Sequence, residues 1–176
     1  MIKELLNRVL EEVGQQDEVE IVPEPAEPSQ DQIPTLQADY YRPMSPQLRE
    51  RFTSFGAWPE ATHADWLSLG QMAELWTDPN ATPSGKQRNL VVMTDNWPND
   101  ATALFKADRI SVFALSEEGN ERMYLLWFDC IEEPEVWVYD TNGEAHYRDL
   151  KTYLEAYLDD DLTAYNRHWI LGNNPD

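Results

Sequence analysis

The sequence is poor in the residues on which several classes of protein depend. It has a single cysteine, Cys130, which excludes an intramolecular disulfide framework and favours a reducing compartment. Only seven glycines are present, and none of them lies in a Gly-rich phosphate-binding loop. No apolar run is long enough to span a bilayer, and residues 1–13 lack the apolar core of a signal peptide. We therefore expect a cytoplasmic protein.

Basic residues are also scarce. Thirteen Lys and Arg stand against 33 Asp and Glu, which gives a formal net charge of -20 and a pI near 4.3. A field of this sign repels phosphate backbones and anionic lipids, so binding to nucleic acid or to a membrane surface is disfavoured. A basic protein partner is favoured instead, although the same charge also keeps a protein soluble. Apolar residues make up 41% of the chain, which is enough for a packed core.

The first 34 residues differ in character from the rest. Residues 2–13 have apolar side chains at helical spacing, and Gly14 ends the pattern. Residues 15–34 contain four prolines and several acids, which predicts an extended, self-repelling linker. We therefore divide the chain into a helix with its linker at 1–34 and a main domain at 35–176. The helix could dock on its own domain, pair with a copy of itself or bind a partner.

The main domain begins with helical patterns. Ser45-Pro46 precedes an apolar face and is typical of a helix start, and Gly56 closes that helix. A second helix is predicted over 65–76 from apolar residues that share one face. Turn signals at 78–80 and 83–85 then break the chain.

From residue 89 the pattern changes to strands. Four β-branched or aromatic runs cover 89–94, 109–115, 122–129 and 135–140. Asn142-Gly143 predicts a tight turn into a short strand over 145–148, and Asp149 can cap a final amphipathic helix. The order of helices, sheet and helix predicts an α+β domain, with an antiparallel or mixed sheet flanked by helices.

No residue pattern supports a catalytic centre. Cys130 could pair with His146 or His168 as a nucleophile and base, but no cysteine hydrolase signature surrounds it. The three histidines, which include His63, lie far apart in sequence and lack metal-ligand spacing. We predict no catalytic residue, no metal site and no cofactor.

The carboxylates do not form a recognisable site either. Residues 159–161 are consecutive aspartates, whose side chains would point in different directions on a helix, so we expect a solvated run. The segment 95–100 lacks the glycine and the glutamate of a calcium-binding loop. Paired acids of a hydrolase would have to be chosen from 33 carboxylates without a feature that ranks them.

A recognition surface is what remains. Acids crowd two predicted strand links, and tryptophans in loops can anchor an interface. The predicted partner-binding residues are Trp58, Trp97, Glu117, Glu118, Glu121, Glu132, Glu133 and Glu135. For each tryptophan, the alternative is a core residue that closes a loop.

The run from Arg109 to Leu158 resembles the SUKH superfamily, which includes yeast cell-wall assembly regulators and many bacterial immunity proteins. The resemblance consists of a strand ending in FAL, an acidic Gly turn, the strands YLLWFD and VWVYD, and the helix DLKTYLEAYL. It implies an α+β fold and a protein-binding role, commonly that of an immunity protein seated on a nuclease or deaminase toxin. The N-terminal helix and linker depart from the family pattern, as does Phe55-Gly56 followed by Trp58, where many members have Asn-Gly.

Three functional hypotheses follow. The first is an acidic immunity-type protein that neutralises a cognate basic toxin acting on nucleic acid. The second is a regulatory or scaffold protein that binds its partner through the N-terminal helix. The third is a hydrolase that uses carboxylates with a cation.

Overall fold

The structure, a computed structural model, describes residues 2–16, 21–28, 30–62, 64–75, 106–116, 121–129, 131–140 and 143–161. In chain order the elements are α1 Lys3–Gln16, β1 Gln32–Pro34, β2 Tyr41–Pro43, α2 Pro46–Ser54, β3 Asp65–Trp66, α3 Leu69–Glu74, β4 Ile110–Leu115, β5 Arg122–Leu126, β6 Glu135–Asp140, β7 Gly143–Tyr147 and α4 Leu150–Leu158. The strand predicted at 89–94 and the turns predicted at 78–80 and 83–85 lie outside the described residues. Within these ranges, no helix has the length and apolar character needed to cross a membrane.

An antiparallel five-stranded sheet forms the centre of the fold, in the order β3-β4-β5-β6-β7. All of β4 and most of β5 are buried. Burial of this kind fits the nearly continuous apolar residues of these two strands. Leu125 of β5 lies opposite Val136 of β6, and both side chains are fully buried. The helices α1, α2 and α4 contact one another, and α4 packs against β6 and β7. The predicted α+β class is therefore confirmed, and the described sheet is wholly antiparallel.

The N-terminal helix α1 docks on its own chain. Ile2, Leu5, Leu6 and Val9 are buried and belong to the same hydrophobic core as the sheet. The N–H groups of Ile2 and Lys3 also donate to Glu50 Oε2 of α2, at 2.8 and 3.1 Å. Burial of four apolar side chains stabilises the fold by several kcal/mol, at roughly 1.5–3 kcal/mol each. Of the three options for this helix, the structure shows the intrachain one.

The segment 21–28 has no regular secondary structure, as its prolines and acids predicted, and it lies against the domain. The Glu24 N–H donates to Ala57 O at 2.7 Å, and the Gly56 N–H donates to Glu24 O at 2.8 Å. Glu27 Oε2 accepts the Leu69 N–H at 2.9 Å, at the start of α3. These contacts use the segment's own backbone and acids to hold it on the domain, which its composition alone did not indicate.

The predicted helix over 65–76 begins later than expected. Asp65 and Trp66 form β3, which pairs with β4, and Trp66 exchanges two 2.8 Å backbone hydrogen bonds with Trp58. The helix α3 starts only after Ser68, whose side chain and that of Gln71 form a reciprocal capping box. Tertiary pairing therefore overrides the helical pattern at its N-terminal end.

A buried arginine joins α2 to the loops that follow it. The guanidinium of Arg51 is fully buried and donates to the carbonyl oxygens of Phe55, Gly56 and Leu67, at 2.6, 2.9 and 3.4 Å. Burial lowers the pKa of Arg51 to about 9, although the charge of Glu27 opposes that shift. Three aromatic rings lie within 5.8 Å of the guanidinium carbon: those of Phe52, Trp66 and Phe113.

Candidate protein interface

The three acids of the link before β6 have different surroundings. Glu132 is exposed, Glu133 is half-buried, and Glu135 is only 2% exposed. We predicted all three as contacts of one surface, but of the three only Glu132 is exposed. The expectation that Glu135 faces a partner is wrong, because Glu135 starts a strand whose side chains alternate between two covered faces.

Glu133 acts as the cap of α2 from a distant part of the chain. Its Oε2 accepts the Ser45 hydroxyl at 2.6 Å, and its Oε1 accepts the Gln47 N–H at 2.9 Å. Ser45 makes no side-chain cap of its own, and the carboxylate of Glu133 accepts the backbone N–H of Gln47 in its place. Burial raises the pKa of Glu133, and the two hydrogen bonds oppose that shift. This acid therefore stabilises the fold.

Glu135 is a buried carboxyl on β6. Its Oε2 accepts the indole N–H of Trp137 at 3.1 Å. Burial raises the pKa of Glu135 to about 7, and the indole hydrogen bond opposes the shift without cancelling it. The Trp137 ring also meets His146 edge to face at 4.5 Å between centroids, and burial lowers the pKa of His146.

Other helix ends are also held by acids. Glu50 and Glu27 accept backbone N–H groups at the starts of α1 and α3, although each lies in another part of the chain. At the start of α4, Asp149 Oδ1 accepts the Thr152 N–H at 2.8 Å. Carboxylates are favoured there because helix N-termini present unsatisfied N–H groups and the positive end of the helix dipole. A share of the acid surplus is thus explained by folding and not by binding.

The first link is described in part. Glu121 is half-buried, and its N–H donates to Ser116 Oγ at 3.0 Å while the Ser116 N–H donates to Glu121 O at 2.9 Å. These bonds close the end of the hairpin between β4 and β5. The remaining predicted contacts there, Glu117 and Glu118, lie outside the described residues, as does Trp97.

Trp58 is a core residue. Its side chain is 0% exposed, and its ring lies 5.0 Å from Phe55 and 5.7 Å from Trp66 between centroids. The assignment of Trp58 to a partner-binding surface is therefore wrong, and the alternative of a core residue that closes a loop is the one that the structure shows. The backbone bridge to Trp66 draws the loop against the sheet, where the rings of Phe55 and Trp66 pack against the indole.

A set of exposed side chains that the sequence did not single out lies on two segments, one before α2 and one before β6. We call this set the tyrosine patch and define it as Tyr40, Tyr41, Asp129, Ile131 and Glu132. Tyr40, Tyr41 and Ile131 are 38, 45 and 37% exposed, and they are three of the four large apolar side chains with such exposure in the described part of the chain. Tyrosine is enriched among residues that dominate interfaces.

Ion pairs hold the two halves of the tyrosine patch together. Arg42 Nη1 lies 2.8 Å from Asp129 Oδ1, and Arg109 Nη2 lies 2.8 Å from Asp129 Oδ2. The hydrogen bond from Arg42, helped by the charge of Arg109, lowers the pKa of Asp129. The ion pair of Arg42 with Asp129 holds β2 against the link that precedes β6. The hydrogen bond from Ser45 to Glu133 holds the next residues of the chain against the same link. The link 129–133 therefore runs beside residues 42–45.

A cavity of about 220 Å³ adjoins the two tyrosines. Asp39 lies at its edge with φ of 59°, a left-handed conformation that aspartate tolerates better than most residues. The cavity is lined by Pro34, Thr35, Gln37, Ala38, Asp39, Tyr40, Tyr41 and Ala73. The ring of Tyr40 faces the chain's own Arg42, whose guanidinium carbon lies 5.6 Å from the ring centroid. The exposed side chains of Tyr41 and Asp39 beside this cavity are an aromatic group and an acid of the kind that protein interfaces use for a basic side chain.

The described residues contain no group of three or more His, Cys, Asp or Glu that could hold a metal ion. Cys130, His63 and His168 lie outside those residues. The aspartates 159–161 are exposed at the end of α4, where Asp159 lies 3.7 Å from Arg8. This arrangement agrees with the predicted solvated run.

The tyrosine patch could have been suspected from one signal. Tyr40 and Tyr41 are adjacent in a short segment between Pro34 and Pro43, where alternation places at least one ring outward. Ile131 gave no comparable signal, because a lone apolar residue beside two acids fits a buried strand end equally well.

Comparison of the chain with protein-family models, with curated proteins and with solved structures finds no match.

Proposed function

We propose that this chain is an acidic protein-binding domain of the immunity type, which neutralises a basic toxin that acts on nucleic acid. The observation that carries the proposal is the tyrosine patch, in which Tyr40, Tyr41, Ile131 and the acid Glu132 are all exposed and the Arg42–Asp129 ion pair joins the two segments that supply them. Aromatic and aliphatic anchors supply binding energy, and a rim of acids steers a cationic partner and selects it.

The charge distribution supports a cationic partner. Five basic side chains in the described ranges are ion-paired with the chain's own acids: Arg8, Arg42, Arg49, Arg109 and Lys151. The chain has 33 acids and 13 bases, so its net charge stays strongly negative even where each base is paired with an acid. A toxin that binds nucleic acid carries a basic surface, which an acidic domain can cover in place of the phosphate backbone.

The resemblance of 109–158 to the SUKH superfamily supports the same proposal. The strands and the helix on which the resemblance rests are present as β4, β5, β6 and α4. Many proteins of that superfamily are bacterial immunity proteins, so the resemblance points to the same partner class as the surface chemistry.

The alternative of a scaffold that captures a partner through α1 has less physical support. The apolar stripe of α1 that such a helix would offer is buried against its own core. Capture through this stripe would require α1 to leave the domain, which would expose Ile2, Leu6 and Val9 to water.

Co-expression with the product of the neighbouring gene tests the immunity proposal. We expect that product to be basic and toxic alone, and the wild-type chain to restore growth. Tyr41→Ala and Glu132→Lys should weaken the rescue, while Glu4→Lys, the same change of charge at an exposed site on α1, should leave it intact. If no neighbouring product is toxic, or if toxicity persists beside the wild-type chain, the immunity proposal is rejected.

A further inference from the structure

A second surface feature lies at the other end of α2. It is an open apolar groove of about 440 Å³, formed where the end of α2 meets α1 and the segment 21–25. Val22, on its rim, is 62% exposed, the largest exposure of any large apolar side chain in the described ranges. The groove is lined by Leu10, Ile21, Val22, Pro23, Glu24, Pro25, Ser54 and Phe55.

The wall of the groove is fixed before any ligand arrives. Glu24 exchanges backbone hydrogen bonds with Gly56 and Ala57, at 2.8 and 2.7 Å, while Pro23 and Pro25 restrict the backbone on either side of it. Gly56 permits this close approach, because a Cβ at that position would lie 2.5 Å from Pro25 O. A preformed wall lowers the ordering cost of binding.

The groove is separate from the tyrosine patch. Glu133 contacts Ser45 and Gln47 at the first turn of α2, whereas Ser54 and Phe55 line the groove at the last turn. A helix of nine residues spans about 13 Å at about 1.5 Å per residue. A ligand in the groove therefore uses a face that the tyrosine patch does not provide.

The negative charge around the groove indicates which class of ligand it binds. The side chain of Glu24 is exposed in the wall of the groove, and the chain as a whole has a formal charge of -20. A second copy would bring an equal negative charge to this face, so self-association is opposed by repulsion. A basic segment is attracted by the same field.

We propose that this groove binds an apolar side chain flanked by Lys or Arg, presented by a segment of a cationic protein. Val22 and Phe55 contact the apolar side chain, and Glu24 pairs with the adjacent cation. The inference goes beyond the proposed function, since it assigns a second contact surface and holds whether or not the partner is a toxin.

Fluorescence anisotropy of a labelled 15-residue peptide that alternates Leu and Lys along a helix tests the groove with the full-length chain. We expect the peptide to bind, and a Leu→Ser version of the peptide to bind at least about tenfold more weakly. Val22→Ser should also weaken binding about tenfold, and Glu24→Lys should weaken it and reduce its salt dependence.

Glu4→Lys is the matched control, because it makes the same change of charge at an exposed site on α1 that does not line the groove. If Glu4→Lys weakens binding of the peptide as much as Glu24→Lys does, or if Val22→Ser has no effect, the attraction is unspecific and the proposal is overturned. Sedimentation that shows a dimer lost on Val22→Ser would overturn it in favour of a second copy as the occupant. Amide NMR shifts at Leu10, Val22 and Ser54 verify the site in chains that circular dichroism shows to be folded.

Discussion

Replacing Glu135 with glutamine should change how the stability of the protein depends on pH. Burial raises the pKa of Glu135 from its ordinary value of 4.5 to about 7, so the folded state binds a proton that the unfolded state has already released. The contribution of Glu135 to the free energy of unfolding is fully present below about pH 4.5, and it is lost as the pH rises toward 7. At about 1.36 kcal/mol for each pH unit, the loss is about 3 kcal/mol at pH 7 and about 1 kcal/mol at pH 5.

Urea unfolding followed by tryptophan fluorescence at pH 5, 6, 7 and 8 measures this effect. Between pH 5 and pH 7, the wild-type free energy of unfolding should fall by about 2 kcal/mol relative to Glu135→Gln. Glutamine is nearly isosteric with glutamate and its side-chain carbonyl can still accept the Trp137 indole N–H, so packing is retained. Glu132→Gln, an exposed neighbour, should follow the wild type. If the free energy of unfolding changes with pH by the same amount in the wild type and in Glu135→Gln, the raised pKa of Glu135 is refuted.

Three further changes test the packing of the chain. Glu133→Ala should lower the free energy of unfolding in urea by about 1–3 kcal/mol, because it removes the cap of α2. Glu132→Ala should change that free energy by less than about 0.5 kcal/mol. If the two substitutions lower it equally, Glu133 does not cap α2. Gly56→Ala should lower the melting temperature, because its Cβ would lie 2.5 Å from Pro25 O, and an unchanged melting curve would count against that contact. Deleting residues 1–16 should abolish the near-ultraviolet circular dichroism of the folded core, and a soluble, folded remainder would show that α1 is dispensable.

Local signals predicted most of the regular elements. Ser45-Pro46 marked the start of α2, the apolar run at 109–115 became β4, and Asp149 caps α4 as its position suggested. These features depend on residues within a few positions of one another, which is the range over which propensity and capping act.

The parts that sequence reasoning missed depend on distant contacts. Glu133 reaches Ser45 across 88 positions, so an acid that looked like a surface contact is a helix cap. Trp58 is buried because it pairs with Trp66, which in turn joins β4. The tyrosine patch exists because Arg42 and Asp129, 87 positions apart, draw β2 to the link. No local pattern encodes such pairings.

Calorimetric titration of the full-length chain with the purified product of the neighbouring gene tests the central claim most directly. The account predicts tight binding that weakens with salt, and a loss of affinity of about tenfold or more for Tyr41→Ala. Glu132→Lys should also weaken binding, while Glu4→Lys should not. Absence of binding, or equal affinity for the wild type and Tyr41→Ala, would contradict the claim that the tyrosine patch recognises a basic protein.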